Sequence, residues 1–289
     1  LGVEEVLGDV CDPLSLENST RDVDIVYHLA AVIGYNRAMR AEMDKVNIQG
    51  TRNVIGAILK NQVPRLLHMS SVCAVGASFD GTPLDERSPF NLGHLNLGYF
   101  ESKRAAEQLV MKAVQEKGLN AVMVNPSNIY GAGDAAKGSR KVQIKVAQGR
   151  MPIYTSGGVS VIGIEPLINA VLAAAKVGAT GERYILGGEN ITIQKLFGLI
   201  AKSAGTRPPQ WLLPNWLVHG LGQMGDLQTH LGLHPSLTSE TAWTSTLFHW
   251  FDSSKAQRVL GLKIRPAAEC IEDSVRWMKD HKIVSSNRN

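Results

Sequence analysis

The chain has 289 residues, 44% of them apolar and 19% charged, which is long enough and apolar enough to fold around a full core. A net charge of +4 is too small to argue for nucleic acid or a membrane surface, and no apolar run approaches the roughly 20 residues of a membrane span. Cys11, Cys73 and Cys270 are odd in number and widely spaced, which fits reduced thiols in a cytoplasmic setting and neither a disulfide frame nor a metal site. Leu1-Gly2-Val3-Glu4-Glu5 is no signal peptide, and a first residue other than Met points to a cut chain.

In chain order, Val3–Leu7 is predicted as a short strand running into the loop Gly8-Asp9-Val10-Cys11-Asp12-Pro13. Asp24–Ala31 is a second strand ending in small residues, and residues 42–60 are a helix with Asn47 and Thr51 one turn apart. Arg65–Ser71 is a third strand, residues 99–117 a helix, and Asn120–Asn125 a fourth strand entering Pro126-Ser127-Asn128-Ile129-Tyr130-Gly131. This alternation predicts an α/β fold with a parallel sheet covered by helices on both faces. Ligands of such sheets bind beyond the carboxyl ends of the strands, where Asp9, Ala30, Ala31, Ser71 and Pro126 all fall.

The second half alternates less strictly. Helices are expected over 141–150, over Glu165–Val177 with Pro166 in the first turn, after Thr192, and over 267–282. Strands are expected at Val159–Ile164 and Arg183–Leu186. A Trp- and Leu-rich stretch broken by Pro208, Pro209 and Pro214 lies between them and the final helix. Trp211, Trp216, Trp243 and Trp250 hint at an apolar substrate wall, although an aromatic stripe is more often plain core.

The residues that carry chemistry are Tyr99 and Lys103, four apart and therefore on one face of a helix. A phenol ordinarily ionises near pH 10, and a fixed cation lowers that value. The pair can then exchange a proton with a carbonyl or alcohol, and Ser71 can hold the same oxygen by a hydrogen bond. Glycine placement adds a constraint. Gly220-Leu221-Gly222-Gln223-Met224-Gly225 matches G-x-G-x-x-G but follows no clear strand, so a helix crossing or break is expected there instead of a phosphate cradle. Gly131-Ala132-Gly133-Asp134 follows a strand but fits the looser pattern only.

Several segments, taken in order, resemble the extended short-chain dehydrogenase/reductases of the NAD-dependent epimerase/dehydratase type. They are Gly8-Asp9-Val10-Cys11-Asp12, His28-Leu29-Ala30-Ala31, Val46-Asn47-Ile48-Gln49-Gly50-Thr51, Met69-Ser70-Ser71-Val72-Cys73, Tyr99 to Lys103, and Asn125-Pro126-Ser127-Asn128-Ile129-Tyr130-Gly131. Tyr184-Ile185-Leu186-Gly187-Gly188-Glu189-Asn190 is similar to bacterial proteins near dihydroflavonol reductase.

The resemblance implies a Rossmann-type dinucleotide-binding core over residues 1–135 and a smaller C-terminal lobe over 136–289, mainly for substrate, with some strands returning to the core. It also implies a Gly-rich strand–turn–helix upstream of Leu1, so that the core is truncated at its N-terminus. NAD or NADP would be held by Asp9 and Val10 at the adenine and by Leu29, Ala30 and Ala31 along its path. Tyr99, Lys103, Pro126 and Ile129 would lie around the nicotinamide and its ribose. Asn47 would order backbone or water beside the site, or be a simple buried asparagine. Ser71, Tyr99 and Lys103 would be catalytic, with Ser71, Cys73 and Asn125 facing a small-molecule substrate. Ser71 is preferred to Ser70 because it lies five residues before Gly76.

The activity implied is NAD(P)-dependent hydride transfer at a carbonyl or alcohol carbon. The alternatives are a nucleotide-sugar epimerase or dehydratase and a catalytically silent binding or regulatory protein. For the epimerase, the set Lys137, Arg140, Lys141, Lys145 and Arg150 either touches a diphosphate or forms a solvated helix face. Neither nucleic acid nor a membrane is expected as partner, and a homodimer through helices 42–60 and 99–117 is expected from the resemblance.

Overall fold

The computed structural model describes residues 2–133, 140–233, 235 and 237–284. The elements begin with α1 (Pro13–Ser19), β1 (Ile25–His28), α2 (Arg40–Met43), α3 (Gly50–Lys60), β2 (Arg65–Met69), α4 (Gly98–Lys117), β3 (Ala121–Pro126) and β4 (Asn128–Tyr130). They continue with α5 (Lys141–Ala147), β5 (Ile153–Tyr154), β6 (Gly158–Gly163), α6 (Ile164–Val177), β7 (Arg183–Leu186), β8 (Glu189–Thr192) and α7 (Ile193–Ala204). The chain ends with β9 (Trp211–Leu212), α8 (Asn215–His230), α9 (Ser239–Thr246), β10 (Phe248–His249), α10 (Ser254–Leu260) and α11 (Ala267–Asp280). It divides into two compact units, Leu1–Gly76 with Ser88–Asn125 and Val171–Tyr184, and Ala77–Arg87 with Pro126–Ala170 and Ile185–Asn289.

The first unit is built on a Rossmann-type sheet of order β1-β2-β3-β7, whose β1–β2 and β2–β3 ladders are parallel. β3 is buried along its whole length and reads as an unbroken apolar run until Asn125, as a strand covered on both faces should. Val54, Ile55 and Ile58 of α3 meet Leu66 of β2, Val110 of α4 and Met123 of β3 in one core. Register sets His28 opposite His68 at the carboxyl ends of β1 and β2. The expected strand Val3–Leu7 is absent: the segment is exposed and unpaired. A strand is stable only through its ladder, and Val3–Leu7 pairs with no strand of this sheet.

Residues 42–60 are not one regular helix. Asp44–Gln49 form a π-turn between α2 and α3, and Asn47 is buried inside it. α4 starts after Asn96, which turns the chain in the left-handed region at φ 55°. Arg40 fastens that turn, donating to the Asn96 side chain and carbonyl, both at 2.7 Å. Gly98 lets α4 approach closely, since a Cβ there would sit 2.9 Å from Met43 Cε.

The second unit contains a mixed sheet of order β10-β6-β4, with β8 antiparallel to β6, and a small β5–β9 ribbon. Its core gathers Val161 of β6, Ile200 of α7 and Ile271 and Val275 of α11. The segment Gly220–Gly225 lies within α8 and forms a helix crossing. A Cβ on Gly225 would sit 1.8 Å from the Leu237 carbonyl oxygen, and one on Gly222 would sit 3.0 Å from Ala242 of α9. Trp211 and Trp216 are exposed, which corrects the expectation of an aromatic core at those two positions. Among the described residues no helix is long and apolar enough to cross a membrane.

Candidate active site

β2 delivers the chain into a short 3-10 turn, Val72–Ala74, capped by the Ser71 hydroxyl, which accepts from Cys73 N at 3.2 Å. That cap fixes Ser71 just past the end of the strand. α4 brings Tyr99 and Lys103 to the same place, and both side chains are buried. The Lys103 ammonium donates to the Met69 carbonyl at 2.8 Å, one of the last backbone groups of β2. The Tyr99 phenol lies beside the Ser71 side chain, and its ring meets Tyr35 edge-on at 5.9 Å. Ser71, Cys73, Tyr99 and Lys103 therefore form one cluster in the first unit. Ser70 is buried, and its hydroxyl finds no partner among the described residues.

The electrostatics of the phenol differ from the expectation. Burial pushes Tyr99 well above the ordinary phenol range, and Cys73 adds to this, while the Ser71 side chain pulls the other way. The neighbouring Lys103 does not acidify it: Lys103 is itself desolvated, and burial brings its ammonium down to about 8 against the raising effects of Cys73 and Glu107. Burial also lifts the Cys73 thiol to about 11, despite the Ser71 hydrogen bond and Lys103, so at neutral pH it is a thiol and no nucleophile.

Two networks hold the cluster. In the first, the π-turn aims the Asn47 side chain at Val32, accepting from its N–H at 2.8 Å and donating to its carbonyl at 2.9 Å. Asn47 also donates to the Ser102 hydroxyl at 3.0 Å, which donates to the Tyr99 carbonyl at 2.9 Å. The Thr51 hydroxyl donates to the Asn47 carbonyl at 2.6 Å and so receives its own hydrogen bond from His28 Nε2 at 2.9 Å. Asn47 is thus buried and orders the backbone at Val32, which fits both of its readings, and it braces the first turn of α4.

In the second network, Asn125 donates to the Ser71 carbonyl at 3.0 Å and to Glu107 at 2.7 Å, and Glu107 pairs with Arg183 at 3.1 Å. Asn125 is fully buried, with its amide nitrogen committed to these two acceptors. The sequence reading missed Glu107, Ser102 and His68. The stripe Tyr99–Lys103–Glu107, spaced i, i+4, i+8, was the available signal for Glu107. Burial lowers both His28, to about 4, and His68, with Lys103 adding to each, so both rings are neutral at pH 7.

The remaining expected positions fall elsewhere. Val10 lies on α3, where Gly50 leaves room for it (a Cβ there would meet Val10 Cγ2 at 2.9 Å) and Asn53 donates to its carbonyl at 2.9 Å. Asp9 is exposed and caps its own loop through Cys11 N. Leu29, Ala30 and Ala31 form an exposed shelf directly after β1. Pro126 ends β3 and Ile129 lies in β4, both in the second unit. Arg140 is not part of a solvated face: it is buried, lies over the Tyr130 ring at 4.4 Å and donates to the Ile129 carbonyl. Lys137 and Asp134 lie outside the described residues.

A family model described as the NAD dependent epimerase/dehydratase family matches residues 3–187. The chain belongs to this family. It is 29% identical over 292 residues to a Synechocystis sp. protein named "Putative dihydroflavonol 4-reductase", covering 99% of this chain and 84% of that one. It is 27% identical to the sterol demethylase protein B of Methylococcus capsulatus, over 98% of this chain and 87% of the other. Among solved structures, gox2253 aligns with a TM-score of 0.87 at 33% identity, covering 99% of this chain and 87% of that one. A dTDP-glucose 4,6-dehydratase from Streptomyces venezuelae, solved with NAD and TYD bound, shares the fold with a TM-score of 0.74 at 20% identity, over 95% and 79% of the two chains.

Two features of the first unit leave room and donors for a ligand. The exposed shelf after β1 carries two small side chains, Ala30 and Ala31, that permit close approach, and the Lys103 ammonium offers donors to hydroxyl groups.

Proposed function

We propose that the chain carries an NAD(P)-dependent oxidoreductase site acting on a carbonyl or alcohol carbon, with Tyr99 as general acid/base. Asp9 and Val10 would hold the adenine, Leu29, Ala30 and Ala31 the middle of the cofactor, and Lys103, Pro126 and Ile129 the nicotinamide-ribose end, with Asn47 bracing the site. Bound nicotinamide supplies or accepts the hydride. Residues 1–135 would carry the dinucleotide half and residues 136–289 mainly the substrate half.

The observation that carries this reading is the cluster of Ser71, Tyr99 and Lys103, with the phenol and the ammonium both buried. In the reducing direction the Tyr99 O–H gives its proton to the substrate oxygen while Ser71 donates a hydrogen bond to the same atom. Cys73 and Asn125 would stand at the substrate's edge. Burial keeps the phenol protonated at neutral pH, the form that gives a proton in the reducing direction. The nucleotide-sugar alternative loses part of its support, since the buried Arg140 serves Tyr130 and the Ile129 carbonyl and not a solvent-facing diphosphate site.

The test is Tyr99→Phe in the full-length protein, assayed by nicotinamide absorbance on a panel of small apolar carbonyl compounds. Turnover should fall by about a hundredfold or more with cofactor affinity retained, the usual scale for a lost proton donor. Unchanged turnover would remove Tyr99 from the chemistry. Absence of cofactor binding by the unsubstituted protein would favour the silent binding or regulatory role.

A further inference from the structure

We propose that the β9–α8 segment of the second unit is a docking face for an anionic lipid surface. α8 turns its apolar side outward. Its inward positions, Val218, Gly222 and Gly225, are buried, and the two glycines pack against α9 and Leu237 so closely that the helix cannot rotate to hide its other face. The outward positions 216, 220, 224, 227 and 231 follow one another at helical spacing, and four of them are Trp216, Met224, Leu227 and Leu231. Trp216 is 75% exposed and Leu231 72%. Trp211 and Leu212 on β9, just ahead of α8 in the chain, are exposed as well. The single ionisable carboxylate of α8, Asp226, faces inward and accepts from Ser239 N at 3.1 Å. An ordinary surface helix shows the reverse pattern, so this face requires a covering.

The charges around it indicate which covering. From Arg140 to Ile164 and from Asn190 to Gly225 there is no Asp or Glu. Lys141, Lys145, Arg150, Lys202 and Arg207 are exposed in those two stretches. Hydrogen bonds bring the stretches together: the Thr206 hydroxyl donates to the Val146 carbonyl, and Gln210 and Trp211 N–H groups donate to the Pro152 carbonyl. The apolar ribbon therefore adjoins a basic collar drawn from two stretches that themselves hold no Asp or Glu. A second copy docked about a two-fold axis through this patch would set collar against collar, which is repulsive. A bilayer bearing anionic headgroups supplies a negative surface for the collar and an apolar layer for the side chains, with Trp211 and Trp216 at the boundary where indoles settle. With no spanning helix among the described residues, the segment would lie on the membrane. Folding assembles this patch from separate stretches, so neither the modest net charge nor the lack of a long apolar run reveals it.

The experiment is flotation of the full chain with vesicles of phosphatidylcholine alone and of phosphatidylcholine mixed with phosphatidylglycerol. The protein should float with the mixed vesicles, and raised salt should weaken this by screening. Arg150→Gln and Arg207→Gln should each lower the partition coefficient about fivefold, the scale of one basic group at an anionic surface. Trp216→Ser combined with Leu227→Ser should lower it further, and thermal melts should remain unchanged because these side chains are exposed. Failure to bind mixed vesicles, or binding indifferent to all four substitutions, overturns the proposal. Concentration-dependent dimerisation abolished by the Trp216→Ser, Leu227→Ser pair, without vesicle binding, would assign the face to a second copy instead.

Discussion

Glu107→Gln is the most direct probe of how the cluster is held. The Glu107 side chain is 8% exposed, and its two oxygens serve Arg183 at 3.1 Å and Asn125 at 2.7 Å. A neutral amide keeps the shape but has only one oxygen to meet two donors, and its nitrogen then faces a donor. Removing one partner of a buried ion pair ordinarily costs 3–5 kcal/mol, and Arg183 retains some access to water, so about 2–3 kcal/mol is expected, read as a lowered urea midpoint. The more discriminating readout is Lys103. Glu107 is one of the two groups that hold up its ammonium, so the Lys103 midpoint should fall below about 8 in the variant. NMR of the labelled lysine would follow that titration, and the high-pH limb of any reductase activity should move down with it. A loss of stability with the Lys103 midpoint unmoved would refute the electrostatic link and leave Glu107 a packing residue only.

Other outcomes follow from the same geometry. Acid should destabilise the fold: His28 and His249 titrate near 4 when folded against 6.5 when unfolded, so the unfolded chain takes up protons first as pH drops below 6.5. Stability should fall between pH 6.5 and 4 by about 3 kcal/mol for each such ring, and urea midpoints that stay flat across that window would contradict the burial of these rings. Asn47→Leu should cost about 2–3 kcal/mol and reduce turnover without removing the phenol, because Val32 and Ser102 lose their partner; full activity would show that the first turn of α4 needs no brace. Gly225→Val should detach α8 from α9, visible as a lost cooperative unit in hydrogen exchange, since its Cβ has no room beside the Leu237 carbonyl.

Strand and helix periodicity located most elements, and Arg183–Leu186 was found to the residue. Val3–Leu7 failed because composition reports the tendency to pair but not the presence of a neighbour. The π-turn was hidden because a single wider turn leaves the apolar pattern of a helix almost unchanged. At the site, the i, i+4 rule put Tyr99 and Lys103 together correctly, yet the direction of the phenol's shift was wrong. Sequence spacing counts neighbouring charge, whereas desolvation depends on what α4 packs against. Glu107 lay on the same stripe and escaped notice because an acidic residue in a long helix is ordinarily solvated.

The wider turn between α2 and α3 has a consequence for how such a site can be lost or regained. Deleting one residue from Asp44–Gln49 would let the segment close into an ordinary helix with every hydrogen bond made and the flanking residues kept on their faces, because the wide turn is what absorbs the extra residue; only the residues inside the turn would be re-aimed. The amide that now reaches Val32 and Ser102 would point elsewhere. A lineage carrying that deletion would keep the scaffold and lose the brace on the Tyr99 turn in a single step, and one inserted codon would restore it.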